Sequence, residues 1–129
     1  MNIHHARYFV VAFGLLVAAC AHVPREPALD PSSGLNLAPL EARFSASRCQ
    51  VSVPLSQLQV LSFAERDGVP HPESRSDWIA LASNIRPGDQ LREVNCQSYG
   101  KGRKSSGLFF YGLFRGGLLI GEMHTMILD

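Results

Sequence analysis

The chain has 129 residues, 46% of them apolar and only 18% charged. That length holds one domain, or a small domain behind a targeting segment. With 12 Lys and Arg against 11 Asp and Glu the formal net charge is +1, which excludes the strongly basic balance of a dedicated nucleic-acid binder. The charged fraction falls below the roughly 25% of a soluble domain, so part of the apolar sequence is not expected to be globular core.

Residues 1–20 read MNIHHARYFVVAFGLLVAAC. Arg7 and the free amine give a weakly basic start, and Tyr8–Ala19 is an uncharged run that closes on small residues. A spanning helix needs about 20 apolar residues, so the run fits the core of a signal peptide rather than a membrane span or a buried helix. Export is the expectation.

Val17-Ala18-Ala19-Cys20 resembles the lipobox of bacterial lipoproteins: an aliphatic residue, two small ones and a cysteine. The resemblance implies a diacylglyceryl group on the Cys20 thiol, cleavage before Cys20 and acylation of the new amine. At ~0.8 kcal/mol per buried methylene, two or three chains make a durable anchor. Ala21, in place of Asp after the cysteine, implies outer-membrane sorting by resemblance to enteric Gram-negative lipoproteins. Ala19-Cys20-Ala21 also satisfies the A-x-A rule of ordinary signal peptidase, and cleavage there discards Cys20.

The chain has 3 cysteines, Cys20, Cys49 and Cys96, and an odd count in an exported protein needs an explanation. Lipid on Cys20 leaves Cys49 and Cys96 as a pair in an oxidising compartment. Their bridge is the expectation, with two buried free thiols as the alternative. No CxxC occurs and no histidine neighbours either cysteine, so no metal site is expected there.

Pro24, Pro27, Pro31 and Pro39 are half of the chain's 8 prolines. They mark residues 21–36 as an extended spacer, while Leu40 and Phe44 at i,i+4 allow a short helical turn in 38–45. The folded part is expected to start near Arg48, where Cys49, Val51 and Val53 alternate with polar residues as in a strand. Leu58–Phe63 reads as a further extended stretch, followed by a polar loop from Ala64 to Arg75. Trp78, Leu81 and Ile85 share one face of a short helix capped by Ser76 or Asp77. Arg86-Pro87-Gly88-Asp89 is a turn, and Gln90–Tyr99 a strand with Val94, Cys96 and Ser98 on one face. A hairpin loop spans 100–107. Leu108–Phe114 is a continuous apolar strand, Arg115-Gly116-Gly117 a tight turn, and Leu118–Leu128 a last strand, apolar on both parities and so expected in the sheet centre.

The domain organisation read from these segments is a signal peptide over 1–19, an acylated cysteine and proline-rich tether over 20–47, and a small β-rich periplasmic domain over 48–129. The fold class is mainly β, a small antiparallel sheet or partly open barrel of about five strands with one short helix, stapled by one disulfide. The spacing W-x-x-L-x5-P-G-D-x-x-R-x-V over Trp78–Val94 resembles the start of small SH3-like β-barrels in bacterial envelope proteins.

Lys101, Arg103 and Lys104, with Arg92 and Arg115 as further basic candidates, form a cluster that can meet anionic head groups, phosphates or an acidic partner. A solvated hairpin tip explains the same residues. Glu122 and His124, two apart on a strand, point to one face and can do acid–base work or, with Asp129 as a third carboxylate, bind a metal; a hydrogen-bonded structural histidine explains the same pair. Phe109 and Tyr111 share one strand face, Phe110 and Phe114 the other; a sheet covered on one side only would expose an aromatic patch. No G-x-S-x-G or H-E-x-x-H motif occurs, so no enzyme is expected.

Arg103-Lys104-Ser105-Ser106-Gly107, then aromatics, then Phe114-Arg115-Gly116 resembles the inhibitory stretch of bacterial lipoprotein inhibitors of c-type lysozyme. The resemblance implies roles for Ser106 and Arg115 in an enzyme cleft. The stretch departs from that pattern in lacking a tryptophan and in placing Cys96 before it. The expectation is therefore a lipid-anchored envelope protein, on the outer membrane facing the periplasm, with a binding or structural module. The alternative is an inhibitor or immunity lipoprotein neutralising an envelope-targeting enzyme such as a lysozyme. Its partners are the membrane through the acyl chains and another envelope protein, with no nucleic acid, no metal and no small-molecule cofactor beyond the lipid on Cys20.

Overall fold

The computed structural model describes residues 26–46, 48–98 and 106–125. Residues 1–25 with Cys20, residue 47, residues 99–105 with Lys101, Arg103 and Lys104, and residues 126–129 lie outside the described residues. The elements run α1 (Ala38–Arg43), β1 (Arg48–Val51), α2 (Gln57–Arg66), a 3-10 turn (Pro72–Ser74), α3 (Ser76–Ser83), β2 (Gln90–Ser98), β3 (Ser106–Arg115) and β4 (Leu118–His124). The four strands form one open antiparallel sheet in the order β1-β2-β3-β4.

Four strands replace the expected five because Leu58–Phe63 is helical, not extended. Ser56 and Gln59 form a capping box: the Ser56 hydroxyl accepts from Gln59 N, and the Gln59 side chain accepts from Ser56 N. Val60, Phe63 and Ala64 then fall on one buried face of α2, while Leu58 is 79% exposed. The expected single short helix is thus one of three α-helices among the described residues, and the polar loop after Ala64 starts only beyond Arg66.

α3 stands where the Trp78 and Leu81 spacing places it, with both side chains buried. Its cap differs from expectation. Arg75 is the N-cap residue, and Asp77 Oδ1 accepts instead from Trp78 N and from Arg75 Nε. The Arg86–Asp89 turn closes with Asp89 N donating to Arg86 O, 3.1 Å. Gly116 and Gly117, at φ 57° and 81°, make the β3–β4 hairpin turn, a pair of positive values that side-chain-bearing residues rarely adopt.

The sheet is covered on both faces. On one, α2, α3 and the 3-10 turn bury Leu55, Val60, Phe63, Trp78 and Leu81 against Leu91, Tyr111, Leu113 and Met123. On the other, α1 and the chain before it bury Leu40 against Cys49, Val51, Val94, Cys96, Phe110 and Phe114. Double coverage explains why β3 is apolar on both parities: Phe110, Tyr111, Leu113 and Phe114 are all buried, each worth about 1.5–3 kcal/mol of transfer free energy. Phe109 alone of these aromatics is exposed, at 39%, so the conditional aromatic patch does not form.

β4, expected in the centre, is an edge strand. Its two apolar parities have a different cause: Gly121 lies against Leu81 of α3, and Arg43 of α1 reaches Glu122 on the opposite face. The packed unit also takes in chain before Arg48. Val53 N donates to Ala28 O and Asp30 N to Val51 O, both at 2.9 Å, so a strap at 26–30 runs beside the end of β1. Among the described residues no helix is long and apolar enough to cross a membrane.

Candidate functional site

Cys49 and Cys96 face each other across the β1–β2 pair and are joined by a disulfide, with Cα atoms 4.0 Å apart. Alternation on two neighbouring strands brings both thiols to one face, beside Val51 and Val94, where they are buried. The pair expected from cysteine arithmetic is the pair observed.

Of the basic candidates, Arg92 and Arg115 lie among the described residues, and both are tied to carboxylates. Arg115 ends β3, at the far end from Ser106, which opens the strand and pairs with Ser98. Ten residues of strand separate those ends by roughly 30 Å. The Arg115 guanidinium makes a two-pronged contact with Asp89, Nε to Oδ1 at 2.9 Å and Nη2 to Oδ2 at 2.8 Å, and Nη2 also donates to Asn84 O. Hydrogen bonds from Arg115 hold the Asp89 carboxyl at about 2, below the usual carboxylate range. Arg92 is buried and points away from solvent, donating to Asp30 Oδ2 at 2.9 Å and to Ser52 O at 2.7 Å. Both arginines are thus engaged inside the fold.

Glu122 and His124 do meet, as two residues of one parity on β4 must: His124 Nε2 lies 2.6 Å from Glu122 Oε2. The His124 ring stacks on Phe110 with centroids 5.0 Å apart, and Phe44 closes on its edge. Arg43 forks onto the same carboxylate through both terminal nitrogens, Nη2 at 3.0 Å from Oε2. Burial pushes the Glu122 carboxyl up, but the hydrogen bonds from Arg43 and His124 outweigh it and hold it below the usual range. Chemically this is a neutralised carboxylate that fastens α1 to the sheet edge. Among the described residues no group of three or more His, Cys, Asp and Glu is placed to hold a metal ion.

A second polar cluster lies on the helical face and escaped the sequence reading. Glu93 shares its parity with Leu91 and sits opposite Tyr111 in the β2–β3 register. The buried Tyr111 ring carries its hydroxyl to Asp67 Oδ2, 3.4 Å away at the carboxyl end of α2. Burial, with the negative charges of Asp67 and Glu26, pushes the Glu93 carboxyl up to about 7; the Tyr111 hydroxyl opposes the shift. Burial beside these carboxylates drives the Tyr111 phenol upward as well. The available signal was a charge on the apolar parity of a strand, opposite an aromatic residue. No protein-family model, no curated protein and no solved structure matches this chain.

Proposed function

We propose that the chain is a lipid-anchored bacterial envelope protein, acylated on Cys20, whose small β-rich domain is a binding or structural module and not a catalyst. The observation that carries this reading is the Cys49–Cys96 disulfide. It uses two of the 3 cysteines, favours an oxidising compartment, and leaves Cys20 of the lipobox-like Val17–Cys20 as the odd one. The non-catalytic part is supported by Glu122, whose carboxylate is engaged by Arg43 and lies against the His124 ring nitrogen. Outer-membrane placement facing the periplasm follows from Ala21 by the same lipoprotein resemblance.

Binding falls to the basic run Lys101, Arg103 and Lys104, since Arg115 is held by Asp89. The test is intact-mass measurement of the mature chain with and without globomycin. A diacylated amino-terminal Cys20 is expected, with the precursor accumulating under the drug. A lipid-free chain beginning at His22 would remove the anchor. Pull-down from envelope extract with Lys101, Arg103 and Lys104 changed to Ser is expected to lose the partner. An unchanged partner set would return that loop to a solvated tip, and inhibition of a c-type lysozyme would favour an inhibitor.

A further inference from the structure

The chain enters the fold at the strap, well before the first strand. Ala28 O accepts from Val53 N and Val51 O accepts from Asp30 N, both at 2.9 Å, and Leu29 bridges to Ser52. Arg92 holds Asp30 from the sheet, Nη1 to Oδ2 at 2.9 Å. Residues 28–30 are therefore pinned to the sheet edge and take no part in a spacer. Cys20 stands six positions before Glu26, the first described residue. At no more than about 3.6 Å per residue, that stretch reaches roughly 20 Å. A folded body of about 100 residues has a radius of gyration of about 13 Å and is roughly 30 Å across. The connection is shorter than the domain is wide.

The surface beside that entry is apolar. Pro27 and Ala28 of the strap, Val53 and Leu55 beyond β1, and Phe63 of α2 line a hollow of about 210 Å³. Leu55 and Phe63 are buried, whereas Val53 is exposed. Leu58, also exposed, flanks the hollow: it lies one turn from Ser62, which lines it too, on the side of α2 turned away from Val60 and Ala64. Among the described residues Glu26 is the one ionisable side chain that lines the hollow. A lone exposed leucine is ordinary, but one beside an apolar hollow extends a continuous patch. The exposed Ile79 and Leu118 belong to the opposite edge of the sheet. Leu118 opens β4, and α3, which carries Ile79, packs on β4 through Leu81.

We propose that this patch is the face the domain sets on its own membrane, with Val53, Leu58 and the hollow meeting the lipid interface. The inference rests on the acylation of Cys20. Acyl chains fix one end of the short connection in the bilayer, and the hydrogen bonds of Ala28 and Asp30 fix its other end to the sheet edge. The patch is the apolar surface at that end, whereas β4 lies about 15 Å away across the sheet. Valine and leucine side chains partition into the boundary between headgroups and acyl chains, about 5–10 Å deep. The Glu26 carboxylate then lies level with the headgroup amines. Anchor and patch act as two signals on one surface, and they hold the domain in a fixed orientation that acyl chains alone do not impose.

The test uses the full acylated chain in vesicles of phosphatidylethanolamine and phosphatidylglycerol, with an environment-sensitive fluorophore on Leu58→Cys or Ile79→Cys. Both side chains are exposed, so the labels leave the core untouched, and the disulfide keeps Cys49 and Cys96 from reacting. Lipids carrying a nitroxide near the headgroup serve as the quencher. The label on Leu58→Cys is expected to be quenched about threefold more than that on Ile79→Cys, with its emission moved to shorter wavelength. Equal quenching at the two positions, in a chain that floats with the vesicles, would overturn the inference and leave the anchor standing. So would stronger quenching at Ile79→Cys, which would put the β4 edge on the lipid. A shift at Leu58→Cys without quenching would also overturn it, since protein and not lipid would then cover the patch. A chain that does not float with the vesicles would overturn the acylation, and this inference with it.

Discussion

Arg92 Nη1 lies 2.9 Å from Asp30 Oδ2, a contact between residues 62 apart in sequence that ties the strap to the centre of the sheet. The guanidinium is buried, its remaining donors going to Ser52 O and Gln90 Oε1. Removing Asp30 strands the buried Arg92 charge in a poor solvent, whereas replacing Arg92 with an apolar chain of similar length leaves the Asp30 carboxylate, which is less buried and still accepts from Ser32. Asp30→Ala is therefore expected to lower the urea midpoint more than Arg92→Met, and to free the strap in limited proteolysis. A larger loss in Arg92→Met would show that the Ser52 and Gln90 contacts carry the site.

The disulfide joins adjacent strands but closes a long loop, its cysteines being 47 positions apart in sequence. By the loop-closure account, removing that cross-link costs about 4 kcal/mol through the entropy of the unfolded chain. That is a large share of the stability of a domain this small, typically about 5–15 kcal/mol. The double variant Cys49→Ser/Cys96→Ser is expected to show that loss in urea unfolding. Dithiothreitol should reproduce it in the parent and leave the double variant unmoved.

Local signals were legible in the sequence and long-range ones were not. Trp78 and Leu81 placed α3, the Arg86–Asp89 turn and the Gly116–Gly117 hairpin fell where their residues demand, and Cys49 and Cys96 paired as counted. Leu58–Phe63 misled because a short apolar run fits strand and helix alike; the Ser56–Gln59 box was the deciding signal. β4 misled for another reason. Apolar parity records that a strand is covered, not that it is central, and α1 and α3 cover this edge. The prolines of 24–39 conceal a packed segment because Asp30 and Arg43 find partners 62 and 79 residues away. In the site, the i,i+2 spacing of Glu122 and His124 predicted their contact, while Arg43 and the Glu93–Tyr111–Asp67 cluster depend on register and helix packing.

Asp89, paired with Arg115, is shifted in the direction opposite to Glu93. Asp89 also accepts from Arg86 N at 2.8 Å, so its carboxylate fastens the turn before β2 to the end of β3. Its folded carboxyl lies at about 2, below the usual 3.8, so its stabilisation is present above 3.8 and is lost as pH falls through about 2. Between those values Asp89→Asn is expected to flatten the acid limb of the stability profile. Arg115→Ser should destabilise the domain at neutral pH without altering partner recovery. Loss of a partner from a fully folded Arg115→Ser protein would restore this residue to a binding surface.

Gly112 and Gly121 offer a test of how closely the two layers meet the sheet. A Cβ built on Gly112 would lie 2.6 Å from Leu119 Cδ1, closer than real Cβ atoms approach, and 3.0 Å from Phe114 Cε2, tighter than most real Cβ contacts. On Gly121 the nearest atom is Leu81 Cγ at 3.6 Å, ordinary contact. Leu119 is only partly buried and can shift, but Phe114 belongs to the buried cluster under α1 and has little room to move. Gly112→Ala is therefore expected to cost about 1–3 kcal/mol in urea unfolding, the usual range for overpacking a filled core. Gly121→Ala should be close to neutral, since the added methyl gains contact with Leu81 and Leu113 without displacing either. Equal costs at the two positions would mean that backbone freedom, rather than the approach of Leu119 and Phe114, explains glycine at 112.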